Sequence, residues 1–483
     1  MSQSAIHIQN GSCPVYNKCG GCQLQNLSYE EQLRFKQNKV IKLLKPFGRV
    51  SPIIGMENPY RYRNKVQAAF FTDRSGKIHS GVYQSGTHRI VSVDDCQIED
   101  ALADRIIVAV RRLLPSFHLS TYDEDARRGF LRHVLVKRGF ATNQVMLVLV
   151  TGTPVFPSKN HFVKAIRAQF PEITTIVQNI NPFRTNLVLG EREIVLYGKG
   201  TIEDELCGCR FRISPKSFYQ INPVQTEVLY GKAIEFAGLR GNETVLDTYC
   251  GIGTIGIIAA KHGAGQVFGV ELNGDAVRDA IQNAKANGLK NVRFFQGDAG
   301  EFMQNVAQEG EHIDAVMMDP PRAGSSEQFL DALVKLSPTT VVYISCNPET
   351  LERDLHYLTA KSDYRVQAIQ PVDMFPHTQH IETVVLLSRK MPDDKIEVDL
   401  DMDELDITSA ESKATYQEIK DYVLKEYGFK VPTLYISQVK RQCGIIEREN
   451  YNPSRKENPH VPQCPKDKEA AIRAALEHFG MLQ

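Results

Sequence analysis

No stretch of this sequence is apolar for long enough to span a bilayer, and no early apolar run has the shape of a secretory signal. No membrane role is therefore expected, and the expected compartment is the cytoplasm. Cysteine is too sparse for a disulfide framework: ten thiols are spread over 483 residues, so the clustered ones read as metal ligands. Net charge is absent too, but only as a sum. Residues 1–240 carry 32 Lys and Arg against 20 Asp and Glu, whereas residues 241–389 carry 11 against 19. Residues 390–410 add 2 against 8, and residues 411–483 add 12 against 10. A basic half joined to an acidic half suggests a polyanion partner such as nucleic acid, although a merely solvated basic face leaves the same trace. The length allows two to four domains with ample core.

The first cluster of thiols is Cys13, Cys19 and Cys22. Two residues between Cys19 and Cys22 let both thiolates turn onto one metal centre, and Gly20 and Gly21 remove bulk where the loop must wrap. Cys96 is the natural fourth ligand, and four thiolates suit either zinc or an iron–sulfur cluster. A helix is expected over Ser28–Leu44, with Ser28 as N-cap and Glu31 completing a capping box. In Tyr60-Arg61-Tyr62-Arg63-Asn64-Lys65 aromatics and cations interleave, a pattern suited to stacking on bases or to an ordinary edge strand. Strands over 66–71 and 78–93, a buried strand at Gln144–Val150 and a helix near 158–170 make this half a compact α+β domain with a basic face.

The second half is periodic in another way. Gln220, in the turn before a helix over 224–237, is a candidate ligand contact, and Asn222 is a helix cap. A strand then ends in Asp247, and Tyr249, Gly251 and Gly253 form the turn into a helix near Thr254. There is no third spaced glycine and no phosphate-gripping Lys-Ser or Lys-Thr pair, so a ligand without phosphates fits better than a dinucleotide. Glu271 closes the next strand and can accept hydrogen bonds from both hydroxyls of a ribose. Asp298 closes the third and suits an adenine amino group, and Asp319 ends the fourth before Pro320-Pro321-Arg322. Acids on successive strand ends read as an S-adenosylmethionine site. The fifth strand, Val341-Val342-Tyr343-Ile344-Ser345, presents Cys346 at its carboxyl edge, where open α/β sheets bind ligands. An isolated cysteine there is more often a buried structural thiol. With Glu382 at the start of a later strand and a methyl donor nearby, the set has what C5-methylation of uracil requires: a nucleophile for C6, a base for the C5 proton and the donor.

Taken in order, Cys-x5-Cys-x2-Cys with Cys96, Ser217-Phe218-Tyr219-Gln220-Ile221-Asn222, Leu246-Asp247-Thr248-Tyr249-Cys250-Gly251, Met318-Asp319-Pro320-Pro321-Arg322, Ser345-Cys346-Asn347-Pro348 and His380-Ile381-Glu382-Thr383-Val384 resemble the RNA (uracil-5-)-methyltransferases. The resemblance covers about residues 11–389 and points to the iron–sulfur-containing branch that acts on 23S ribosomal RNA. It implies a Rossmann-like α/β methyltransferase sheet at 216–389 behind an α+β iron–sulfur and RNA-binding domain at 1–215. It further implies Cys346 as nucleophile and Glu382 as base, with Gln220, Tyr249, Glu271, Asp298 and Asp319 contacting S-adenosylmethionine. Cys13, Cys19, Cys22 and Cys96 would hold a [4Fe-4S] cluster. Many relatives carry a small β-barrel before the first cysteine; the stretch ahead of Cys13 is too short for one, so none is expected there.

Other readings compete. A transfer RNA enzyme of the same family is one; a non-catalytic RNA-binding or ribosome-assembly factor is another, and it predicts that changing Cys346 leaves cellular function intact. Arg322 after Asp319-Pro320-Pro321 argues against cytosine-5 methylation, which usually places a second cysteine after such a turn, and against amino-group methylation, which favours an aromatic. Cys13-x5-Cys19 is not the Cys-x3-Cys-x2-Cys of radical enzymes. Residues 390–410 read as an acidic linker, and residues 411–483 as a helical accessory domain outside the resemblance. In that domain a Thr415–Glu418 capping box opens a helix ending at Gly428, followed by helices over 434–443 and 466–479 and a Pro-rich loop over 452–465. No obligate protein partner is evident.

Overall fold

The computed structural model describes residues 13–389 apart from 88 and 186, residues 416–443, and residues 464–482 apart from 480. The expected linker at 390–410, the Thr415 cap and most of the expected loop at 452–465 lie outside the described residues. The chain divides into two compact units, Met1–Asp393 and Asp394–Gln483.

The first unit opens with a single turn, α1 (Tyr16–Cys19), and the expected helix, α2 (Tyr29–Leu44). The capping box is present: Glu31 N–H donates to the Ser28 hydroxyl at 3.3 Å and Ser28 N–H to the Glu31 carboxylate at 2.8 Å. The buried positions of α2 are Gln32, Lys36, Val40 and Leu44, one stripe at a spacing of four, so two polar side chains go inside with two apolar ones.

Next come β1 (Lys65–Thr72), β2 (Ile78–Tyr83), β3 (Ile90–Ser92), α3 (Ala101–Ser116), β4 (Leu131–Arg138), β5 (Val145–Thr151), α4 (Lys159–Gln169), β6 (Ile173–Ile180) and β7 (Arg192–Tyr197). They form one sheet in the order β3-β2-β1-β4-β5-β6-β7. All its pairs are antiparallel except β5–β6, which α4 connects as a crossover. The strand expected over 78–93 is two strands, divided by a turn in which Gln84 N–H bonds the Arg89 carbonyl at 2.8 Å. Helix α3 was not among the expected elements. Its signal is in the sequence nonetheless: Asp100 caps it by accepting from Leu102 and Ala103, and Leu102, Ile106, Val110 and Leu114 line the buried side.

A hairpin, β8 (Ile202–Leu206) and β9 (Cys209–Ile213), and α5 (Pro223–Ala237) lead to the second sheet. It is built from β10 (Thr244–Thr248), α6 (Thr254–Lys261), β11 (Gln266–Glu271), α7 (Gly274–Ala286), β12 (Val292–Gln296), α8 (Ala299–Glu309), β13 (Ala315–Met318), α9 (Glu327–Leu336), β14 (Thr340–Ser345), α10 (Pro348–Lys361), β15 (Arg365–Val372) and β16 (Glu382–Ser388). The order is β12-β11-β10-β13-β14-β16-β15, parallel up to β14, with β16 antiparallel between β14 and β15. The order reverses at β10, which opens a crevice beyond its carboxyl end and that of β13. Apolar cores fill both faces, and Val40 and Leu44 of α2 belong to one of them. Bridges from Val50 to Ile369 and Ile54 to Val372 cover the edge of β15.

The second unit holds α11 (Tyr416–Tyr427), α12 (Thr433–Gln442) and α13 (Lys466–His478) around its own core of Ile419, Val423, Ile436, Ile472 and Leu476. Gly428 ends α11 at φ 74°, as expected of a helix stop. No helix among the described residues is long and apolar enough to cross a membrane.

Candidate active site

Register decides the centre of the crevice. Strands β14 and β16 pair antiparallel with Ser345 opposite Thr383. Cys346 follows Ser345 directly and Glu382 precedes Thr383, so both lie one residue beyond that last pair, close enough for the Glu382 charge to act on the thiol. Glu382 is 3% exposed and Cys346 is half-buried. Burial first, and then the negative fields of Glu382 and Asp319, push the Cys346 thiol up to about 11, while Arg322 opposes them. Burial and Asp319 hold the Glu382 carboxyl well above the usual carboxylate range, with Arg322 again opposing. Asp319 itself is pushed up to about 7 by burial. Its turn is tied to the end of β14: Asn347 caps α10 and also donates to the Arg322 carbonyl at 3.1 Å.

A second set of groups surrounds the turn after β10. Asp247 is 0% exposed; one carboxylate oxygen accepts Gly256 N–H at 2.7 Å, and the other has no hydrogen-bond partner among the described residues. Burial, Asp319 and Glu271 push it up to about 8. Tyr249, Gly251 and Gly253 all have positive φ, so the chain turns sharply there. A side chain at Gly253 would strike the Phe294 ring at 2.6 Å, whereas an added Cβ at Gly251 meets nothing within 4 Å. Glu271 accepts Gly251 N–H at 3.1 Å and Asn273 N–H at 2.9 Å, one bond to each oxygen. Asp298 caps α8 through one oxygen and is otherwise exposed. Gln220 is buried at 9% exposure, and its carbonyl accepts from the Asn64 side chain at 3.0 Å. Sequence reasoning did not single out Leu272 and Phe295, which stay exposed at 67% and 38% at the ends of β11 and β12; the signal for Leu272 was an apolar residue directly after a strand-end acid. Buried carboxylates that raise one another suit a ligand bearing fixed positive charge, and apolar groups beside them suit a flat ring. S-adenosylmethionine has both, so the residues present fit it.

The four candidate metal ligands come to one corner. After burial, Cys13 and Cys19 are what most raise the Cys22 thiol, to about 12, and Cys13 acts on Cys19 as well. Cys22 and Cys96 both pack on Met56, Tyr62 and Ile98. Among the described residues no three His, Cys, Asp or Glu side chains are arranged to hold a metal ion. Thiols are the donors a thiophilic metal takes, but their described arrangement does not itself form a metal site.

The interleaved stretch Tyr60–Lys65 is used for packing rather than displayed. Arg61 pairs with Asp95 at 2.6 Å and Asp104 at 3.2 Å, and Tyr62 is 1% exposed with its hydroxyl on the Pro376 carbonyl. Burial of the aromatic outweighs its possible stacking on bases here, since an inward Tyr62 cannot meet a ligand.

The family model for tRNA (uracil-5-)-methyltransferase matches residues 28–390. An uncharacterised RNA methyltransferase of Clostridium acetobutylicum is 44% identical over 384 residues, covering 78% of this chain and 83% of its own. One from Bacillus cereus is 44% identical over 386 residues, covering 79% and 83%. Among solved structures, the Pyrococcus abyssi tRNA (uracil-54, C5)-methyltransferase in complex with S-adenosyl-L-homocysteine is similar at 29% identity and a TM-score of 0.64, over 76% of this chain and 86% of that one.

Proposed function

The chain belongs to the tRNA (uracil-5-)-methyltransferase family, and on that premise we propose that it methylates C5 of a uridine in RNA, with Cys346 as nucleophile and Glu382 as base. That it is an S-adenosylmethionine-dependent RNA methyltransferase follows from the family and its relatives. The observation that supports the residue assignment is that Cys346 and Glu382 flank the last pair of the β14–β16 register, with the charges of Glu382 and Asp319 both acting on the thiol.

Uracil C5 is a poor nucleophile. Cys346 gives up its thiol proton to solvent and the thiolate adds to C6, the displaced electron pair making the ring an enolate that is nucleophilic at C5. S-adenosylmethionine, when bound, supplies the electrophilic methyl group. Glu382 then takes the C5 proton, the C–H electron pair re-forms the C5–C6 double bond, and Cys346 leaves as thiolate. Gln220, Tyr249, Glu271, Asp298 and Asp319 would hold the donor: Glu271 at the ribose hydroxyls, Asp298 at the adenine amino group. Cys13, Cys19, Cys22 and Cys96 would hold a [4Fe-4S] cluster, which has no redox step to perform in this reaction and acts structurally. Residues 1–215 would bind RNA, 216–389 carry out the transfer, and 411–483 assist binding beyond the linker at 390–410.

The substrate favoured is 23S ribosomal RNA, on the four cysteines. Transfer RNA is the second reading, favoured by the likeness to the Pyrococcus enzyme. RNA carrying 5-fluorouridine at the target cannot lose the C5 substituent as a proton, so it should trap a covalent adduct that needs both S-adenosylmethionine and Cys346. An adduct formed by Cys346→Ala would defeat the assignment. Mapping 5-methyluridine in ribosomal and transfer RNA with and without the gene decides between the two substrates.

A further inference from the structure

The loop from Asp373 to His380 joins β15 to β16 and delivers the chain to Glu382. Its backbone is held rather than relaxed. His377 sits at φ 67°, a left-handed conformation that a non-glycine side chain keeps only where its surroundings impose it. Those surroundings come from the other end of the sequence. The ammonium of Lys36, on α2, lies 2.5 Å from the Asp373 carboxylate, and both side chains are 0% exposed. The same ammonium donates to the Phe375 carbonyl at 3.0 Å. The Tyr29 hydroxyl donates to the second Asp373 oxygen at 2.9 Å. Gln32 takes His377 from two sides, accepting its backbone N–H at 2.8 Å and lying 3.2 Å from its ring nitrogen. Leu24, two residues after Cys22, donates its N–H to the His377 carbonyl at 3.0 Å.

An ion pair this deeply buried is not explained by stability, because apolar side chains of similar volume usually serve as well or better. What it adds is direction. Charge and hydrogen bonds fix one loop conformation where apolar contact would tolerate several. We propose that Lys36 and Asp373 are positioning residues of the methyl transfer, holding the Asp373–His380 loop so that Glu382 meets the C5 proton. The proposal rests on Glu382 being the base. The step at stake is the last one: Glu382 takes the proton from C5, that electron pair re-forms the C5–C6 double bond, and the C6–S bond breaks to return the thiolate to Cys346. Adduct formation and methyl transfer precede it and do not need Glu382 in place.

The test separates these steps in the full chain. Lys36→Met combined with Asp373→Leu removes the charges together, which leaves no lone buried ion. Tyr29→Phe weakens the same contact by one hydrogen bond, so the question can still be answered should the double variant not fold. On 5-fluorouridine RNA, which stops before proton removal, both variants should form adduct within about twofold of the unaltered rate. On ordinary uridine RNA the double variant should turn over about tenfold or more slowly with KM little changed, and adduct should accumulate; Tyr29→Phe should shift the same way by less. Adduct formation and turnover falling together in a folded variant, or neither falling, would overturn the proposal. Glu382→Gln run alongside distinguishes the two claims: if it accumulates adduct and the clamp variants do not, the clamp alone fails. If Glu382→Gln accumulates none, the assignment of the base fails and the clamp with it.

Discussion

At the scale of single residues, the site is a group of acids held close to neutral. Asp319 at about 7 and Asp247 at about 8 keep protons that an ordinary carboxyl releases near pH 4. In the ligand-free chain these groups bind more protons folded than unfolded, so they subtract stability as pH rises from about 4 to about 8. A cationic ligand favours their ionised forms, which reverses the sign for binding. Affinity for S-adenosylmethionine should therefore rise with pH up to about 7 for Asp319 and about 8 for Asp247, by up to about tenfold per unit for each group while it titrates, and level off above. Calorimetric titration at about pH 6, 7 and 8 checks this, and a flat or falling profile would show that these carboxyls do not meet the ligand's charge. The positions of Cys346 after a strand end and of Glu382 before an apolar run were legible in the sequence. That the two strands pair side by side was not, because a register between strands some 40 positions apart leaves no mark on either segment.

At the scale of elements, the caps and periods were readable and the partners were not. The helix after the cysteine loop was legible from its capping box and apolar spacing. Its destination was not: Val40 and Leu44 enter the core of the second sheet, and Gln32 and Lys36 reach the loop before Glu382. Nothing local marks Lys36 out among the cations of that helix, since a sequence does not show which cation has a buried carboxylate waiting for it. The cysteine loop is bound to the same place through Leu24, so ordering that loop with a metal should order the whole corner. Anaerobically purified chain should contain about four irons for a cubane cluster and be brown. Cys19→Ala or Cys22→Ala should lose the colour and most of the iron. Stoichiometric zinc without visible absorbance would instead favour the other four-thiolate reading.

At the scale of the whole molecule, each of the two compact units has its own core. The groups of the candidate site all lie between residues 220 and 382, in the first of them. A chain ending near residue 393 should therefore still methylate a short RNA fragment, while binding to the full substrate weakens. Turnover on the fragment, measured with a truncated protein whose unfolding transition is unchanged, checks this. Its loss would make the second unit part of the enzyme.

What the sequence determined by itself was the alternation of strand and helix, the acid at each strand end and the thiol at the carboxyl edge. These are local properties, set by periodicity, caps and turn residues within some ten positions. The tertiary structure alone decided which acids crowd together, which way Tyr62 turns, and that a lysine near the start of the chain grips an aspartate 337 positions later. The reason is physical: charge burial and strand register depend on what packs against a segment, and that neighbour is written elsewhere in the chain.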